Sequence, residues 1–394
     1  MSNILKYIPS AINKLHRNIL PIKGKGSYIY TKENVKYLDF TSGIGALSTG
    51  HSHPYIINKV KKQIDNIVHA PQQVFQSHVP QIEFTQKLLN IMPCESLNNV
   101  FYVSSGSEAT DNAIKIARKY TQKTNIIALN RGFHGRTLGA LSVTSSNLNC
   151  KLHSQPLIPG IYFCETFTEK SINNILEYQS SPDDTAAVIV ESVQGEGGIN
   201  SVPSTFLQYV KNICEQNNIL FIADEVQCGS GRTGTWWNIE QKNVDPDIMT
   251  FGKGIASGFP IAGVVANENI MNNLGKGYLG GTYGGNALVS CAAEATIDVI
   301  KNEKLLLNTK VYGNILNTEL SLIPEIKEIR QYGLMIAFDF YNHNPIEIVN
   351  KLRENNVLVL LAGNKNQYIR ILPALNISRE EVHNFINALK LTLN

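Results

Sequence analysis

The chain has 394 residues, and 35 Lys and Arg stand against 32 Asp and Glu, which gives a formal net charge of +3. This length exceeds what one hydrophobic core usually holds, so we expect a large domain and a smaller companion. There is no basic block and no stripe of basic and aromatic residues, which excludes nucleic acid and anionic membranes as expected partners. No apolar run approaches the roughly 20 residues that span a bilayer. Small-molecule chemistry is the class of function that remains.

The cysteines and the N-terminus bear on the compartment. The six cysteines lie far apart without a CxxC pair, which fits neither a disulfide framework nor a zinc knuckle. We therefore expect a reducing, cytoplasmic environment. A mitochondrial presequence is the alternative, because no acidic residue precedes Glu33 and the segment carries Lys6, Lys14 and Arg17. Since the segment is poor in arginine and leads directly into strand-like sequence, we interpret it as part of the fold.

Short apolar strands recur between residues 99 and 267, and amphipathic helices separate several of them. This alternation predicts an α/β domain with a mostly parallel sheet. The predicted strands are NVFYVSS, NIIALN, AAVIVES, ILFIADEV, DIMTFGK and IAGVVAN, and the predicted helices are EATDNAIKIARKY and STFLQYVKNICEQN.

The pattern changes after residue 291. One long helix is predicted over residues 291–308, followed by strand pairs within residues 325–341 and 357–375 and by a terminal helix. This order predicts a C-terminal α+β domain, which the N-terminal segment is expected to join. The predicted division is an N-terminal segment of the small domain at 1–48, a large domain at 49–290 and the C-terminal small domain at 291–394.

Unusual residues follow the predicted strands, at the ends where open α/β sheets bind ligands. After Ser104 a glycine turn leads into a helix, in which Ser105 and Glu108 have the spacing of a capping box. The free N–H groups at the start of that helix could bind a phosphate. An ordinary capped helix is the alternative interpretation.

A second strand end carries Phe133 and His134 between glycines, with Arg136 close behind. The aromatic ring of Phe133 could stack on a flat ligand, and the guanidinium of Arg136 could hold a substrate carboxylate. On its own this stretch does not define a function.

The third and fourth strand ends carry opposite charges. Five largely apolar residues lead directly to Asp224 and Glu225, and a carboxylate at the edge of a core is costly without a cationic partner. Lys253 follows another apolar strand inside a glycine-rich turn, whose small residues leave room for a ligand to approach the amine. The alternative for Lys253 is an ordinary surface-loop lysine.

Together the four strand ends match the needs of one cofactor, pyridoxal phosphate. A lysine forms a Schiff base with it, a carboxylate keeps its pyridine nitrogen protonated, and a helix start holds its phosphate. The sequence therefore predicts this cofactor, with Lys253 and Asp224 as its principal contacts.

These segments in this order resemble the class III pyridoxal-phosphate aminotransferases, the family of the 4-aminobutyrate, acetylornithine and ornithine aminotransferases. The likeness runs from YLDFTSGIGALSTGHSHP to YIRILPALNIS, nearly the whole chain. It implies that Lys253 is the Schiff-base lysine and that Asp224 pairs with the pyridine nitrogen. It further implies five cofactor contacts: phosphate for Gly106 and Ser107, one ring face for Phe133, the other ring face for Val226, and the phenolic oxygen for Gln227.

The resemblance also implies an architecture and an assembly. The expected fold is the fold type I aminotransferase, a large cofactor domain with a smaller α+β domain built from both chain ends. Thr282, in GGTYGGN, is expected to reach the phosphate bound by a neighbouring subunit. A homodimer follows from that, or a dimer of dimers.

The resemblance leaves the amino donor open. The ornithine enzymes have a tyrosine where this chain has Ile44, so ornithine is the third choice. Other motifs divide between the 4-aminobutyrate and the acetylornithine enzymes, and we favour 4-aminobutyrate, with 2-oxoglutarate as the acceptor. Arg136 is the expected partner of the donor's distant carboxylate. Arg370 is the expected partner of the carboxylate of 2-oxoglutarate, and Glu196 is expected to pair with Arg370 when the donor has no such group.

Three other interpretations are weaker. His51 and His53 could suggest a metal, but we interpret them as part of a turn and expect no metal site. A nucleotide-dependent oxidoreductase is disfavoured because no GxGxxG motif follows a strand and opens a helix. A non-catalytic relative is disfavoured because Lys253 and Asp224 are both present.

Overall fold

The computed structural model describes residues 7–9, 11–12, 15–16 and 19–393. The three cations that raised the question of a presequence, Lys6, Lys14 and Arg17, lie outside the described residues. Among the residues described, no helix is both long and apolar enough to cross a membrane. All six cysteines lie within them, and each is a free thiol.

The chain alternates strands and helices over most of its length. The strands are β1 (Pro21–Lys25), β2 (Tyr28–Thr31), β3 (Lys36–Asp39), β4 (Asn99–Val103), β5 (Asn125–Leu129), β6 (Ile161–Cys164), β7 (Thr185–Val190), β8 (Val193–Gln194), β9 (Asn200–Ser201), β10 (Leu220–Asp224), β11 (Ile248–Phe251), β12 (Ala262–Ala266), β13 (Ile326–Tyr332), β14 (Met335–Phe340), β15 (Val357–Leu358), β16 (Leu360–Ala362) and β17 (Tyr368–Ile371). The helices are α1 (Pro54–Asn66), α2 (Val79–Leu89), α3 (Gly106–Thr121), α4 (Leu138–Val143), α5 (Glu169–Tyr178), α6 (Ser204–Gln216), α7 (Glu268–Asn272), α8 (Ala287–Asn302), α9 (Leu305–Ser321), α10 (Pro345–Glu354) and α11 (Arg379–Leu393).

A seven-stranded sheet in the order β4-β12-β11-β10-β7-β5-β6 forms the centre of the fold. Only β12 runs antiparallel to its neighbours, so the sheet is mostly parallel, as predicted. All six predicted strands of this region are present, and the helices α3 and α6 are the two that the pattern predicted. The edge strand β6, whose four residues IYFC form a short apolar run, was not predicted.

Burial explains why these segments are strands. All six residues of β7 and all five of β10 are buried, so both strands are apolar on both faces and lie inside the sheet. Separate clusters of buried side chains cover the two faces of the sheet. The parallel strands therefore end together at one edge, where the residues after β4, β5, β7, β10 and β11 meet.

The smaller part of the fold combines both ends of the chain, as predicted. The strands β1, β2 and β3 are completed by β15, which pairs with β3 in parallel, with Val357 opposite Leu38. A second sheet has the order β13-β14-β17-β16 and carries Arg370 on β17. The exact domain boundaries stay a prediction.

One detail of the C-terminal prediction was wrong. The single helix predicted over residues 291–308 is two helices, α8 and α9, because Lys304 adopts a left-handed conformation with φ 55° between them. The strand pair predicted within residues 357–375 is present as β16 and β17, and the start of that segment forms an additional short strand, β15, that joins the N-terminal sheet. Helical periodicity continues across Lys304, so the sequence pattern did not indicate the break.

Candidate active site

Lys253 lies directly beyond β11 and begins a short 3-10 turn, Lys253–Ala256. Its φ of 44° is left-handed, a conformation that costs energy in a residue with a side chain and that clusters at functional sites. Burial lowers the pKa of its ammonium, and this outweighs the opposing effect of the nearby carboxylates, Glu196 first among them. A larger fraction of neutral amine is therefore available as a nucleophile.

A glycine is needed after Lys253 for a different reason from the one that the sequence suggested. We predicted that the small residues of this turn leave room for a ligand. A Cβ on Gly254 would instead overlap Ser48 Oγ and lie 3.5 Å from the carbonyl oxygen of Gly45. Gly254 therefore makes room for the protein's own turn around residues 42–48, which packs against the lysine turn.

Asp224 ends β10 and is buried beside the lysine turn. A carboxylate in this position needs a partner, and it is His134, whose Nδ1 donates to Oδ2 across 2.7 Å. The other oxygen, Oδ1, accepts from Thr250 Oγ1 at 3.0 Å and from the Val226 N–H at 3.1 Å. Burial acts to lower the pKa of His134, but the contact with Asp224 outweighs it and raises that pKa above its usual value.

Helix α3 begins beside these two residues. Ser105 Oγ accepts from the Glu108 N–H at 3.3 Å, while the Glu108 carboxylate accepts from the Ser104 N–H at 2.8 Å. In the predicted capping box the Glu108 carboxylate would accept from the N–H of Ser105. Here it accepts from the preceding N–H, that of Ser104, so half of the box is displaced by one residue. The N–H groups of Gly106 and Ser107 belong to the first turn, where a helix offers no acceptor. They remain available to an anion.

A cavity of about 150 Å³ lies between these segments. All the predicted cofactor residues except Thr282 line it, namely Gly106, Ser107, Phe133, Asp224, Val226, Gln227 and Lys253. The segments that form its walls pack so tightly that two glycine positions leave no room for a side chain. A Cβ on Gly106 would lie 2.8 Å from Val226 Cγ1, and a Cβ on Gly135 would overlap Ser107 Oγ. The cavity therefore has a helix start at one end and a buried carboxylate and an amine among its other walls.

Arg370 and Glu196 form an ion pair next to this cavity. Arg370 is 2 % exposed, its Nη2 lies 2.8 Å from Glu196 Oε1, and its Nη1 donates to Gln227 Oε1 at 3.1 Å. Burial acts to raise the pKa of Glu196, but the charges of Arg370 and Lys253 outweigh it and hold that pKa below its usual value. The structure thus brings together the two residues that the resemblance paired.

Arg136 lines a second cavity, of about 330 Å³, which also borders Phe133 and Glu196. Its side chain is exposed. The two cavities therefore share one wall residue, Phe133, and Glu196 in the wall of the second is paired with Arg370. Thr282 lies apart from both, exposed on the loop between α7 and α8.

Ile44 lies on an unusual turn. The four residues from Ser42 to Gly45 all have positive φ values, from 44° to 75°. The buried carboxylate of Asp39 holds this turn, because its Oδ1 accepts from Thr41 N at 2.9 Å, Thr41 Oγ1 at 2.6 Å and Ser42 N at 3.2 Å. His51 Nε2 lies 2.8 Å from the other oxygen of Asp39, so this histidine contacts the carboxylate that holds the turn. Among the described residues, no group of three or more potential metal ligands occurs.

Sequence reasoning missed one buried carboxylate. Glu191 follows β7 directly and lines the smaller cavity with Lys253 and Asp224. Burial raises its pKa, although the charge of His134 opposes the shift. The signal was available, since a carboxylate after a fully apolar strand is the pattern that identified Asp224.

This fold and this site define an α/β enzyme of fold type I that uses pyridoxal phosphate. The family model described as "Aminotransferase class-III" matches residues 10–393, and the chain belongs to that family. The protein is thus a pyridoxal-phosphate-dependent aminotransferase, which acts on amino-acid and keto-acid substrates.

Several characterised proteins are similar to this chain over nearly its whole length. The 5-aminovalerate aminotransferase DavT of Pseudomonas putida is 36 % identical, over 93 % of this chain and 91 % of that protein. The 4-aminobutyrate aminotransferase GabT of Escherichia coli is 35 % identical, over 95 % and 93 %. The acetylornithine aminotransferase of Methanocaldococcus jannaschii is 35 % identical, over 94 % and 92 %. A transaminase from the marine bacterium Virgibacillus has the same fold, with a TM-score of 0.93 at 27 % identity, over 100 % of this chain and 97 % of that one.

The residues of the smaller cavity fit the family's cofactor. The two free N–H groups at the start of α3 suit its phosphate, and the buried Asp224 suits a protonated pyridine nitrogen. The cavity therefore offers donors for the phosphate and a negative charge for the pyridinium, the two groups by which this cofactor is held.

Proposed function

We propose that the protein transfers the terminal amino group of an ω-amino acid to 2-oxoglutarate, which gives a semialdehyde and glutamate. The favoured donor is 4-aminobutyrate. The relatives named for 4-aminobutyrate and 5-aminovalerate support this class of donor. The observation that carries the proposal is the ion pair of the buried Arg370 with the half-buried Glu196, whose charged atoms lie 2.8 Å apart and act on the charge of Lys253.

The two substrates place opposite demands on Arg370. The carboxylate next to the keto carbon of 2-oxoglutarate requires a cation. The carbon of 4-aminobutyrate that carries the amino group has a hydrogen in place of that carboxylate. An unpaired buried arginine would cost several kcal/mol. Glu196 neutralises Arg370 while the ω-amino donor reacts, and it moves aside when the keto acid arrives.

The remaining residues have complementary roles in the proposal. When bound, pyridoxal phosphate supplies an electron sink for the bonds of the reacting carbon. Lys253 holds the cofactor and moves a proton to and from that carbon. Asp224, itself held by His134, keeps the pyridine nitrogen protonated. Phe133 and Val226 would enclose the ring, and Gln227 would lie by its phenolic oxygen, since all three line the cavity.

N-acetylornithine is the second candidate, with free ornithine as the third. The larger cavity supports it, because the amide side chains of Asn147, Asn149 and Asn366 line that cavity together with Arg136. These side chains can form hydrogen bonds with an acetamido group, which 4-aminobutyrate lacks. A relative named acetylornithine aminotransferase is as similar to this chain as the 4-aminobutyrate enzyme is.

We also propose that the working unit is a homodimer, or a dimer of dimers. Thr282 is exposed on a loop away from the cavity of its own chain, and the neighbouring Tyr283 is 65 % exposed. In a dimer Thr282 would reach the phosphate bound by a second copy. A cytoplasmic rather than mitochondrial location completes the proposal.

A panel of amino donors in single turnover tests the donor assignment. Purified holoenzyme is mixed with each donor in the absence of keto acid, and the loss of the cofactor's yellow absorbance gives the rate. We expect 4-aminobutyrate to react fastest, N-acetylornithine second, and free ornithine more slowly than either. If ornithine reacted fastest, the interpretation of Ile44 would be wrong, and if only α-amino acids reacted, the ω-amino proposal would be rejected.

A further inference from the structure

The carboxylate of Glu191 joins two loops of the active site. Its Oε1 accepts from the Phe133 N–H at 2.7 Å, and its Oε2 accepts from the Gly195 N–H at 3.3 Å. The side chain is only 4 % exposed. One loop carries the aromatic side chain of the cofactor cavity, and the other carries Glu196.

Further contacts link Gly195 to Arg370. A Cβ on Gly195 would overlap Gln227 Oε1, so the backbone of Gly195 lies directly against the Gln227 side chain. That same oxygen accepts from Arg370 Nη1. The next residue, Glu196, pairs with Arg370 Nη2. Glu191 therefore fixes the backbone from which the Glu196 side chain extends.

A carboxylate is the side chain best suited to this position. It has two acceptor oxygens and can hold both N–H groups at once, whereas an amide has one acceptor oxygen and two N–H donors. Burial of a carboxylate is costly, and Asp224 adds a second negative charge nearby. His134 and Lys253 are the cations that face it. A costly group at the junction of two loops indicates a function that a simpler side chain would not serve.

We propose that Glu191 is a positioning residue that holds the loop of Glu196 in register with the cofactor cavity, so that Glu196 returns to Arg370 after each keto acid leaves. The inference rests on the proposed function. With the tie weakened, Glu196 neutralises Arg370 less completely. Donors without an α-carboxylate then react more slowly, while donors with one, such as glutamate, gain relative to them.

Glu225 offers a matched control. It also follows a fully buried strand, is 1 % exposed, and accepts from the N–H groups of Asn238 and Ile239, both at 2.8 Å. It does not line the cavity. Glu225 meets the segment between Glu191 and Glu196 through Ser192 Oγ, at 3.1 Å, and a glutamine there still offers an acceptor oxygen to that hydroxyl. Glu225→Gln therefore removes a similar buried carboxylate without removing a backbone contact of the Glu196 loop.

The test compares holoenzyme variants in single turnover with 4-aminobutyrate and with glutamate. For Glu191→Gln we expect the ratio of the glutamate rate to the 4-aminobutyrate rate to rise about tenfold, the effect of one ordinary hydrogen bond. Glu225→Gln should leave the ratio within about twofold of wild type. An unchanged ratio for Glu191→Gln, or an equal rise for Glu225→Gln, overturns the proposal.

A double-mutant cycle shows whether Glu191 acts through Glu196. If it does, adding Glu191→Gln to Glu196→Ala should change the donor ratio no further, because the loop then has no carboxylate to position. Additive changes would reject the proposal. If Glu191→Gln does not fold, Glu191→Asp takes its place in the same cycle, since it keeps the charge but is too short to hold both loops.

The wild-type donor panel separates this inference from the proposed function. If the wild-type enzyme reacts with no ω-amino donor, the proposed function is contradicted. Wild-type enzyme that uses 4-aminobutyrate, together with a Glu191→Gln ratio that does not move, contradicts only the role of Glu191.

Discussion

His134 Nδ1 lies 2.7 Å from Asp224 Oδ2, with both side chains buried beyond the end of the central sheet. The carboxylate therefore has a cationic partner within the protein before any cofactor binds. Because His134 also restrains the orientation of Asp224, the carboxylate is positioned in advance for the pyridine nitrogen. This arrangement avoids the cost of reorganising the site during the reaction.

Replacement of Asp224 by asparagine should slow turnover by about a thousandfold or more, because a neutral amide does not keep the pyridine nitrogen protonated. The measurement is the single-turnover rate with 4-aminobutyrate. The fold should persist, since an amide keeps the size of the side chain. A loss of less than about tenfold would return Asp224 to a structural role at the end of its strand.

Replacement of Lys253 by alanine should abolish turnover and leave the fold largely intact, because the lysine both holds the cofactor and moves the proton. Borohydride should fix the cofactor to the wild-type chain and bleach its colour, but should not attach it to the variant. Lys242 serves as a control, since its buried ammonium contacts Ser201 and Val202 and does not line the cofactor cavity. Lys242→Met should lose stability but retain the colour and the reaction. Near wild-type turnover in Lys253→Ala would mean that another lysine holds the cofactor.

The ion pair of Glu196 and Arg370 predicts opposite effects for its two members. Glu196→Ala should slow the half-reaction with 4-aminobutyrate and admit glutamate more readily, because Arg370 is then free to bind an α-carboxylate. Arg370→Ala should chiefly raise the KM for 2-oxoglutarate. Steady-state kinetics with each substrate varied in turn separates the two. Equal losses in both half-reactions for Glu196→Ala would refute the switch.

Glu225 predicts how stability depends on pH. Burial raises its pKa to about 7, whereas in the unfolded chain the value is about 4.3. The folded state therefore keeps a proton that the unfolded state has lost. This contribution to stability is fully present below about pH 4.3 and is lost as the pH rises through about 7.

Glu225→Gln should remove that dependence. Between pH 5 and pH 8 the free energy of unfolding should fall more for wild type than for the variant, by about 1–3 kcal/mol. Urea unfolding of both proteins at the two pH values measures the difference. Parallel curves would show that Glu225 titrates alike in the folded and unfolded chains.

Asp224, Glu191 and Glu225 show how far the sequence can predict the site. Each follows a fully apolar strand, and the rule that a carboxylate there needs a partner identifies all three as unusual. The rule does not say where each side chain points. Successive side chains at a strand end face opposite sides, so Asp224 meets His134 while Glu225 meets the N–H groups of Asn238 and Ile239.

The mostly parallel sheet was predictable because its strands are continuous apolar runs that alternate with amphipathic helices. The parts that were missed depend on distant contacts or on single backbone conformations. The pairing of β15 with β3 joins residues more than 300 positions apart in the sequence. The break between α8 and α9 depends on one left-handed residue, Lys304. A lysine does not indicate a left-handed conformation, so the sequence does not predict this break.

The left-handed turn from Ser42 to Gly45 bears on how this enzyme could acquire new donors. Left-handed backbone costs roughly 1–2 kcal/mol for each residue with a side chain, and here the three bonds to Asp39 Oδ1 hold it in place. None of those bonds involves Ile44, which is 48 % exposed. A side chain without a branch at Cβ would meet no greater backbone cost at this position than isoleucine does. A change of substrate could therefore begin with a single codon at position 44, while the frame that presents the side chain stays unaltered.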